Sequence, residues 1–320
     1  MSKPKLLLTG ATGFVGRAVR SSLEANGWSV RCLTRNINRA RRIDPKADWV
    51  EGDLNQPKTY EEAMSGCKAA FYLVHSMGEG ADYHRREVRA AEHFAAKSEA
   101  AGIERIIYLG GLAPNGVASE HLLSRLEVGK VLRSGAVPTI ELRASMIVGH
   151  GSLSWLIVRD LAARLPVMVL PRWLKSRTQP VAVDDIVLAL VRSLDIPLTE
   201  SAWFELPGPD VLSGREILEE TSRIMGLSAP LMLEVPLLSP RLSSWWVRLV
   251  TRAQWSVARE VVVGLADDIL AGDRSFWPLI RHPSPLSFSE SVARAIQREA
   301  DAPPEHGFWE RIEKLRASGR

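Results

Sequence analysis

The chain has 320 residues, 46% hydrophobic and 24% charged, which suffices for a buried core and is too apolar for a disordered polymer. Its formal net charge of +4 is spread among interspersed acids and bases, with no zinc-finger, RNP or long basic run, so nucleic acid is not an expected partner. Two cysteines, Cys32 and Cys67, without C-x-x-C spacing and a first strand almost at the N-terminus point to a reduced, cytoplasmic chain without a secretory leader.

The opening stretch Lys5–Gly16 reads as a buried strand, a glycine turn and the start of a helix. Leu6–Leu8 suit a strand covered on both faces. Gly10 allows a tight turn, Gly13 lets a ligand approach the backbone, and Gly16 lets the helix pack on the strand. Ala18, Val19 and Leu23 face inward on that helix, which ends near Asn26-Gly27. A second strand, Ser29–Thr34, completes a βαβ unit, the context in which a G-x-x-G-x-x-G spacing signals a dinucleotide site. Gly10, Thr12, Gly13, Phe14, Val15 and Gly16 are the expected pyrophosphate-binding residues, with the helix N-terminus aimed at the anion.

Further strands are expected at Asp48–Gly52, Ala69–Val74, Arg105–Leu109 and Thr139–Ile147, with helices over Tyr83–Ala101 and His121–Ser134. Alternating strand and helix with short loops specifies an α/β, doubly wound parallel sheet of Rossmann type. Beyond His150, Pro166, Pro171 and Pro180 break up Leu153–Gln179. Asp184 reads as the N-cap of a helix over 185–194, and Ser213-Gly214-Arg215-Glu216 as a capping box for a helix stopping at Gly226. The expected division is a nucleotide domain over 1–150, with 181–206 returning to it, and a smaller mixed C-terminal lobe over 151–320.

Where the second strand ends, an acidic residue would bind the ribose 2′-hydroxyl of NAD. Here it ends Leu33-Thr34-Arg35, and a guanidinium at position 35 suits a 2′-phosphate, favouring NADP(H) over NAD(H). Arg39, Arg41 and Arg42 read as a solvated basic face. Seven scattered histidines with no H-x-x-x-H or H-E-x-x-H spacing make a metal site unexpected, and no G-x-S-x-G supports a serine hydrolase.

Thr9–Gly16 and Gly52-Asp53-Leu54 together resemble the short-chain dehydrogenase/reductase superfamily in its extended or atypical branch. Tyr72–Gly78, Glu141–Ala144, Pro171–Trp173, Pro180–Asp185 and Glu205–Asp210 are similar to the bacterial group typified by YbjT, whose members often carry a further C-terminal domain that this chain lacks. The resemblance implies that Asp53 and Leu54 meet the adenine, that Leu73, Val74 and His75 line the cofactor, and that Ser145–Ile147 border the nicotinamide. Active members use a serine after the fifth strand and a Tyr-x-x-x-Lys helix, in which lysine lowers the tyrosine pKa. Here the fifth strand ends Leu109-Gly110-Gly111-Leu112, with glycine in the serine's place. His121 and Arg125 fall in the tyrosine and lysine slots. Imidazole can pass a proton near neutral pH, but a guanidinium neighbour and a helix N-terminus both disfavour imidazolium. His121 is therefore read either as the proton donor, with Arg125 its electrostatic partner, or as a positioning residue. His75 and Ser76 read either as nicotinamide or substrate contacts or as an ordinary polar strand end.

Ten tryptophans are many for this length, and several lie in 240–263, where Leu242, Trp246, Leu249, Val250, Ala253, Val257 and Val261 share a helical face. Three readings stand for that stretch: peripheral contact with an anionic membrane, a wall for a bulky hydrophobic substrate, or packing of the lobe. The whole suggests an oxidoreductase moving hydride to or from a hydrophobic carbonyl or quinone. The missing catalytic trio leaves open a dinucleotide-binding sensor or assembly protein resembling NmrA-like regulators or the complex I accessory subunit.

Overall fold

The computed structural model describes residues 4–74, 82–114, 116, 119–165, 167–171, 175–228, 230–235 and 267–301. His75 and Ser76 and the stretch 240–263 lie outside them.

Seven strands form one sheet: β1 (Lys5–Leu8), β2 (Ser29–Thr34), β3 (Asp48–Glu51), β4 (Cys67–Tyr72), β5 (Arg105–Gly111), β6 (Thr139–Ala144) and an edge strand, Ala202–Glu205. Their spatial order is edge strand, β6, β5, β4, β1, β2, β3, and every pairing is parallel. Parallel neighbours require crossovers. Helices α1 (Phe14–Ala25), α2 (Ile37–Ile43), α3 (Glu61–Met64), α4 (Tyr83–Ala100) and α5 (Glu120–Ser134) lie in those between consecutive strands. Strand periodicity sends Leu6 and Leu8 into one core, shared with Val19 and Leu23 of α1. Leu7 points into a second core with Phe94 of α4 and Val128 and Leu132 of α5. The sheet is thus covered on both faces, and its carboxyl edge carries the loops.

The continuous strand expected over Thr139–Ile147 is corrected. β6 stops at Ala144, and β7 (Ile147–Val148) leaves the sheet to pair with β10 (Val181–Ala182). Two bonds draw it away: the Ser145 hydroxyl donates to the Gln179 carbonyl at 2.7 Å, and Val181 N–H to the Met146 carbonyl at 2.9 Å. Between them lie α6 (Leu153–Arg164), capped by Ser152, and β8 (Val167–Pro171) and β9 (Arg177–Thr178). Helix α6 fills the first part of Leu153–Gln179, ahead of the prolines that break up the rest. Its buried Trp155 donates its indole N–H to Glu299 at 2.8 Å, a partner 144 residues away.

The expected N-cap role of Asp184 is also corrected. Helix α7 (Val183–Arg192) begins before it, with Ala182 at the cap. Asp184 instead takes Arg294 and Arg298, at 3.1 and 2.7 Å. Its neighbour Asp185, with a side chain 4% exposed, accepts from Leu286 N–H at 2.9 Å and lies 2.8 Å from His282 Nε2. The edge strand is β11, followed by β12 (Leu212–Ser213), α8 (Gly214–Ile224) and β13 (Leu231–Val235). The Ser213–Glu216 capping box forms as expected, and Gly226 follows the helix at φ +68°. Helices α9 (Phe276–Leu279) and α10 (Phe288–Ala300) complete the described chain. Val148, Trp155, Ile217, Phe288, Val292 and Ala295 form a third, smaller core. No helix among the described residues is long and apolar enough to cross a membrane.

Candidate functional site

The glycine turn is held from beneath by Thr9, only 1% exposed. Its hydroxyl donates to the Phe71 carbonyl and accepts from Leu73 N–H, each at 3.0 Å, tying the end of β1 to the exit of β4. Gly10 has φ +69°, and a Cβ there would stand 2.4 Å from the Leu73 carbonyl oxygen. A Cβ on Gly16 would stand 2.1 Å from the Gly10 carbonyl oxygen, so α1 can begin this close to the turn only with hydrogen at position 16. Gly13 differs. It is exposed, and a Cβ on it would meet only the Gly10 carbonyl oxygen, at 3.1 Å, leaving its other side open to a ligand.

Gly13 caps α1 without a side-chain bond, and the first turn carries no acidic residue. The first bond of the helix is Arg17 N–H to Gly13 O, at 3.1 Å, and the amides of Phe14, Val15 and Gly16 have no acceptor among the described residues. Unsatisfied amides at a helix start form an anion site, and here they border an open glycine backbone. This arrangement fits a pyrophosphate. Phe14 itself turns toward the Gly149–Gly151 turn, its ring 3.1 Å from where a Cβ on Gly149 would sit.

At the end of β2, Arg35 is exposed and has no hydrogen-bond or ionic partner among the described residues. Asn36 after it caps α2, its side chain accepting from Arg39 N–H at 2.9 Å. At the end of β3 the Asp53 carboxylate receives Asn55 N–H at 3.0 Å and its amide at 3.1 Å, so its turn is self-braced. Leu54 is 6% exposed and packs in the core, so its side chain is not an open lining group. Leu73, Val74, Met146 and Ile147 lie half-buried along the carboxyl edge. The Ser145 hydroxyl, bonded to Gln179, serves the path of the chain.

His121 and Arg125 stand one turn apart on α5, whose N-cap Ser119 accepts from Leu122 N–H at 3.2 Å. Burial, and after it the Arg125 guanidinium, lowers the His121 pKa to about 4, so the imidazole is neutral at pH 7. Arg125 donates through Nη2 to the Leu109 carbonyl at 3.1 Å, while Tyr108 donates its hydroxyl to the Arg125 carbonyl at 2.9 Å. Arg125 Nε is buried without an acceptor among the described residues. It lies 3.7 Å from where a Cβ on Gly111 would sit, and Leu122 Cδ1 lies 2.4 Å from that same point. A serine at 111 would therefore require the end of the Leu122 side chain to turn aside.

Sequence reading missed what fixes α5 against the sheet. Glu141 of β6 is fully buried and accepts from Arg133 Nε of α5 at 2.7 Å and Arg143 Nε at 2.8 Å. Its carboxylate fits only because Gly129 has no side chain; a Cβ there would be 2.3 Å from Oε1. The Glu-x-Arg alternation on one strand face was the available signal. Asp184 and Asp185, together with Glu205, Gly208 and Asp210, dock 267–301. Glu205 accepts from Gly272 N–H at 2.6 Å, Gly208 O from Arg274 Nη2 at 2.8 Å and Asp210 from Phe288 N–H at 2.6 Å.

Known proteins bear on this geometry. Residues 10–162 match a family model described as NAD(P)H-binding. A 4-hydroxy-2-methyl-3-oxo-4-farnesyl-3,4-dihydroquinoline-1-oxide ketoreductase of Stigmatella aurantiaca is 31% identical over 109 residues, 33% of this chain and 33% of that protein. The chain thus spans about a third of that relative's length. A ceramide reductase of Caulobacter vibrioides is 27% identical over 239 residues, 72% of this chain and 73% of that one. A photosystem II assembly factor, Ycf39 of Cyanophora paradoxa, is 24% identical over 234 residues, 70% of each chain. In fold, the chain is similar to Citrobacter sp. triphenylmethane reductase complexed with NADP(H), with a TM-score of 0.71 at 17% identity over 91% of this chain and 99% of that one. With the glycine turn, the open helix start and the all-parallel sheet in place, residues 10–162, a little under half of the chain, are similar to NAD(P)H-binding domains and share their Rossmann-type fold.

Proposed function

We propose that the protein is an NADP(H)-dependent reductase of a hydrophobic carbonyl or quinone-like compound. The observation that carries this reading is the open Gly13 backbone beside three acceptorless amides, with the unpartnered Arg35 guanidinium at the end of β2. The amides would hold the pyrophosphate and Arg35 the 2′-phosphate. Asp53 would border the adenine. When bound, the cofactor supplies hydride.

Position 121 is then a hydrogen-bond donor rather than an acid. A neutral imidazole N–H polarises a carbonyl without giving up its proton, and a depressed pKa keeps it in that form; the alkoxide left by hydride addition would then take its proton from solvent water. Arg125 Nε, a buried donor lacking an acceptor, would face the oxygen on which negative charge develops. Half-buried Leu73, Val74, Leu122, Met146 and Ile147 give this edge an apolar character suited to a long-chain or isoprenoid ketone. The ketoreductase named for a farnesyl compound and the ceramide reductase support that substrate class.

Isothermal calorimetry with NADPH and NADH, followed by NADPH oxidation across farnesylated quinones and long-chain ketones, tests the reading. Turnover that falls at least tenfold in Arg125→Met with an unchanged NADPH affinity is the expected result. Tight NADPH binding with no turnover of any such compound would leave the second reading, a dinucleotide-binding assembly or sensor protein. That alternative is favoured by glycine standing where the catalytic serine belongs and by the Ycf39 similarity.

A further inference from the structure

One stretch, which starts at Arg35 of the candidate site and runs away from it, concentrates the molecule's charge. Residues 35–46 hold Arg35, Arg39, Arg41, Arg42 and Lys46 against a single carboxylate, Asp44, so this stretch alone carries the formal +4 of the whole chain. Asp44 is already bonded to Arg20. All five cations are exposed, and none makes an ion pair among the described residues. Several other arginines are matched with carboxylates: Arg31 with Asp48, Arg177 with Asp268, Arg223 with Glu220, Arg294 and Arg298 with Asp184. Ile43, amid these cations at the end of α2, is 44% exposed.

A cofactor 2′-phosphate does not account for this. It would engage the groups nearest the end of β2, whereas Arg42 lies about 10 Å further along α2 at 1.5 Å per residue. Ala40 and Ile37 turn to the core, which leaves Arg41, Arg42 and Ile43 facing outward. A patch of point charges around an exposed aliphatic side chain matches an anionic lipid surface, where ammonium and guanidinium groups meet headgroup phosphates and the aliphatic group enters the interface.

We propose that the α2 edge, through Arg41, Arg42, Ile43 and Lys46, docks the protein peripherally on membranes rich in anionic lipid. The idea rests on the proposed substrate class only in its purpose, since a reductase of a membrane-dissolved ketone gains from sitting at the bilayer. Docking itself is independent of turnover.

The experiment is flotation of the full chain with phosphatidylcholine vesicles, with and without phosphatidylglycerol, at low and high salt. Binding is expected only to the anionic vesicles and is expected to fall with salt. At roughly fivefold in partitioning per cation near the surface, Arg41→Gln with Arg42→Gln should weaken binding roughly 25-fold. The pair Arg41→Lys with Arg42→Lys should retain it, and Ile43→Ser should weaken it on its own. NADPH calorimetry on the same variants should be unchanged, which separates loss of docking from failure of the cofactor reading. Wild-type protein that ignores anionic vesicles overturns the proposal, as does binding indifferent to the double glutamine variant. Preferential capture by a nucleic-acid duplex over those vesicles would assign the patch to a different class of partner and equally overturn it.

Discussion

Gly13→Ala and Gly16→Ala separate binding from packing at the same turn. At Gly16 the new methyl would lie 2.1 Å from the Gly10 carbonyl oxygen and 3.0 Å from Ala11 Cα, both backbone atoms. That is roughly 1 Å inside van der Waals contact, so α1 must move off the turn. Overpacking of this kind costs about 1–3 kcal/mol, which lowers Tm by several degrees in a chain of this size. At Gly13, φ is −76°, open to any residue, and the methyl meets one oxygen at 3.1 Å. The stability cost is then that of alanine for glycine at an N-cap, up to about 1 kcal/mol. Yet the methyl projects where a pyrophosphate must approach, so NADPH affinity should fall at least tenfold, about 1.4 kcal/mol. Differential scanning calorimetry and NADPH titration on both variants measure the two effects. If Gly13→Ala binds NADPH as the native chain does, the pyrophosphate does not lie over this turn. If Gly16→Ala melts unchanged, the packing argument is wrong.

Arg35→Leu should weaken NADPH at least tenfold and NADH less than twofold in parallel titrations; an equal loss for both would remove the 2′-phosphate role. The depressed pKa of His121 has a stability consequence with a definite sign. Between pH 6.5 and about 4 the unfolded chain takes up a proton that the folded one refuses, so its contribution is complete above pH 6.5 and lost as pH falls toward 4. Urea unfolding should show a decline of up to about 3 kcal/mol across that window from this group, and His121→Gln should flatten it; an identical slope in the variant would refute the assignment. Asp185→Ala deprives Leu286 N–H and His282 of their shared acceptor. It should destabilise by about 2 kcal/mol and speed proteolysis within 276–300, with NADPH affinity held within twofold; unchanged protease resistance would show that Asp185 does not dock that segment.

Much of the molecule was legible in the sequence because its causes are local. Leu6–Leu8 must be a strand covered on both sides, and glycine at 10 and 16 permits a turn that a side chain at either position would block. The Ser213–Glu216 box is a bond within four residues, and it forms as written. The position of Arg35 at the end of β2 follows from counting along one strand. The errors arose where a distant partner decides. The apolar run Thr139–Ile147 reads as one strand, but the bond from the Ser145 hydroxyl to the Gln179 carbonyl ends it at Ala144. Asp184 resembled an ordinary helix cap, but Arg294 and Arg298, more than a hundred residues on, use it as an anchor.

The sequence by itself determined the βαβ opening, the alternation that makes a doubly wound sheet, and the glycine turn, since backbone freedom and hydrophobic period act within a few residues. Only the tertiary structure decided that Glu141 is buried between two arginines, that Leu122 fills the space beside Gly111, and that His121 is neutral. Those outcomes depend on desolvation and on which groups long loops bring together, and neither quantity is written in the spacing of residues along a chain.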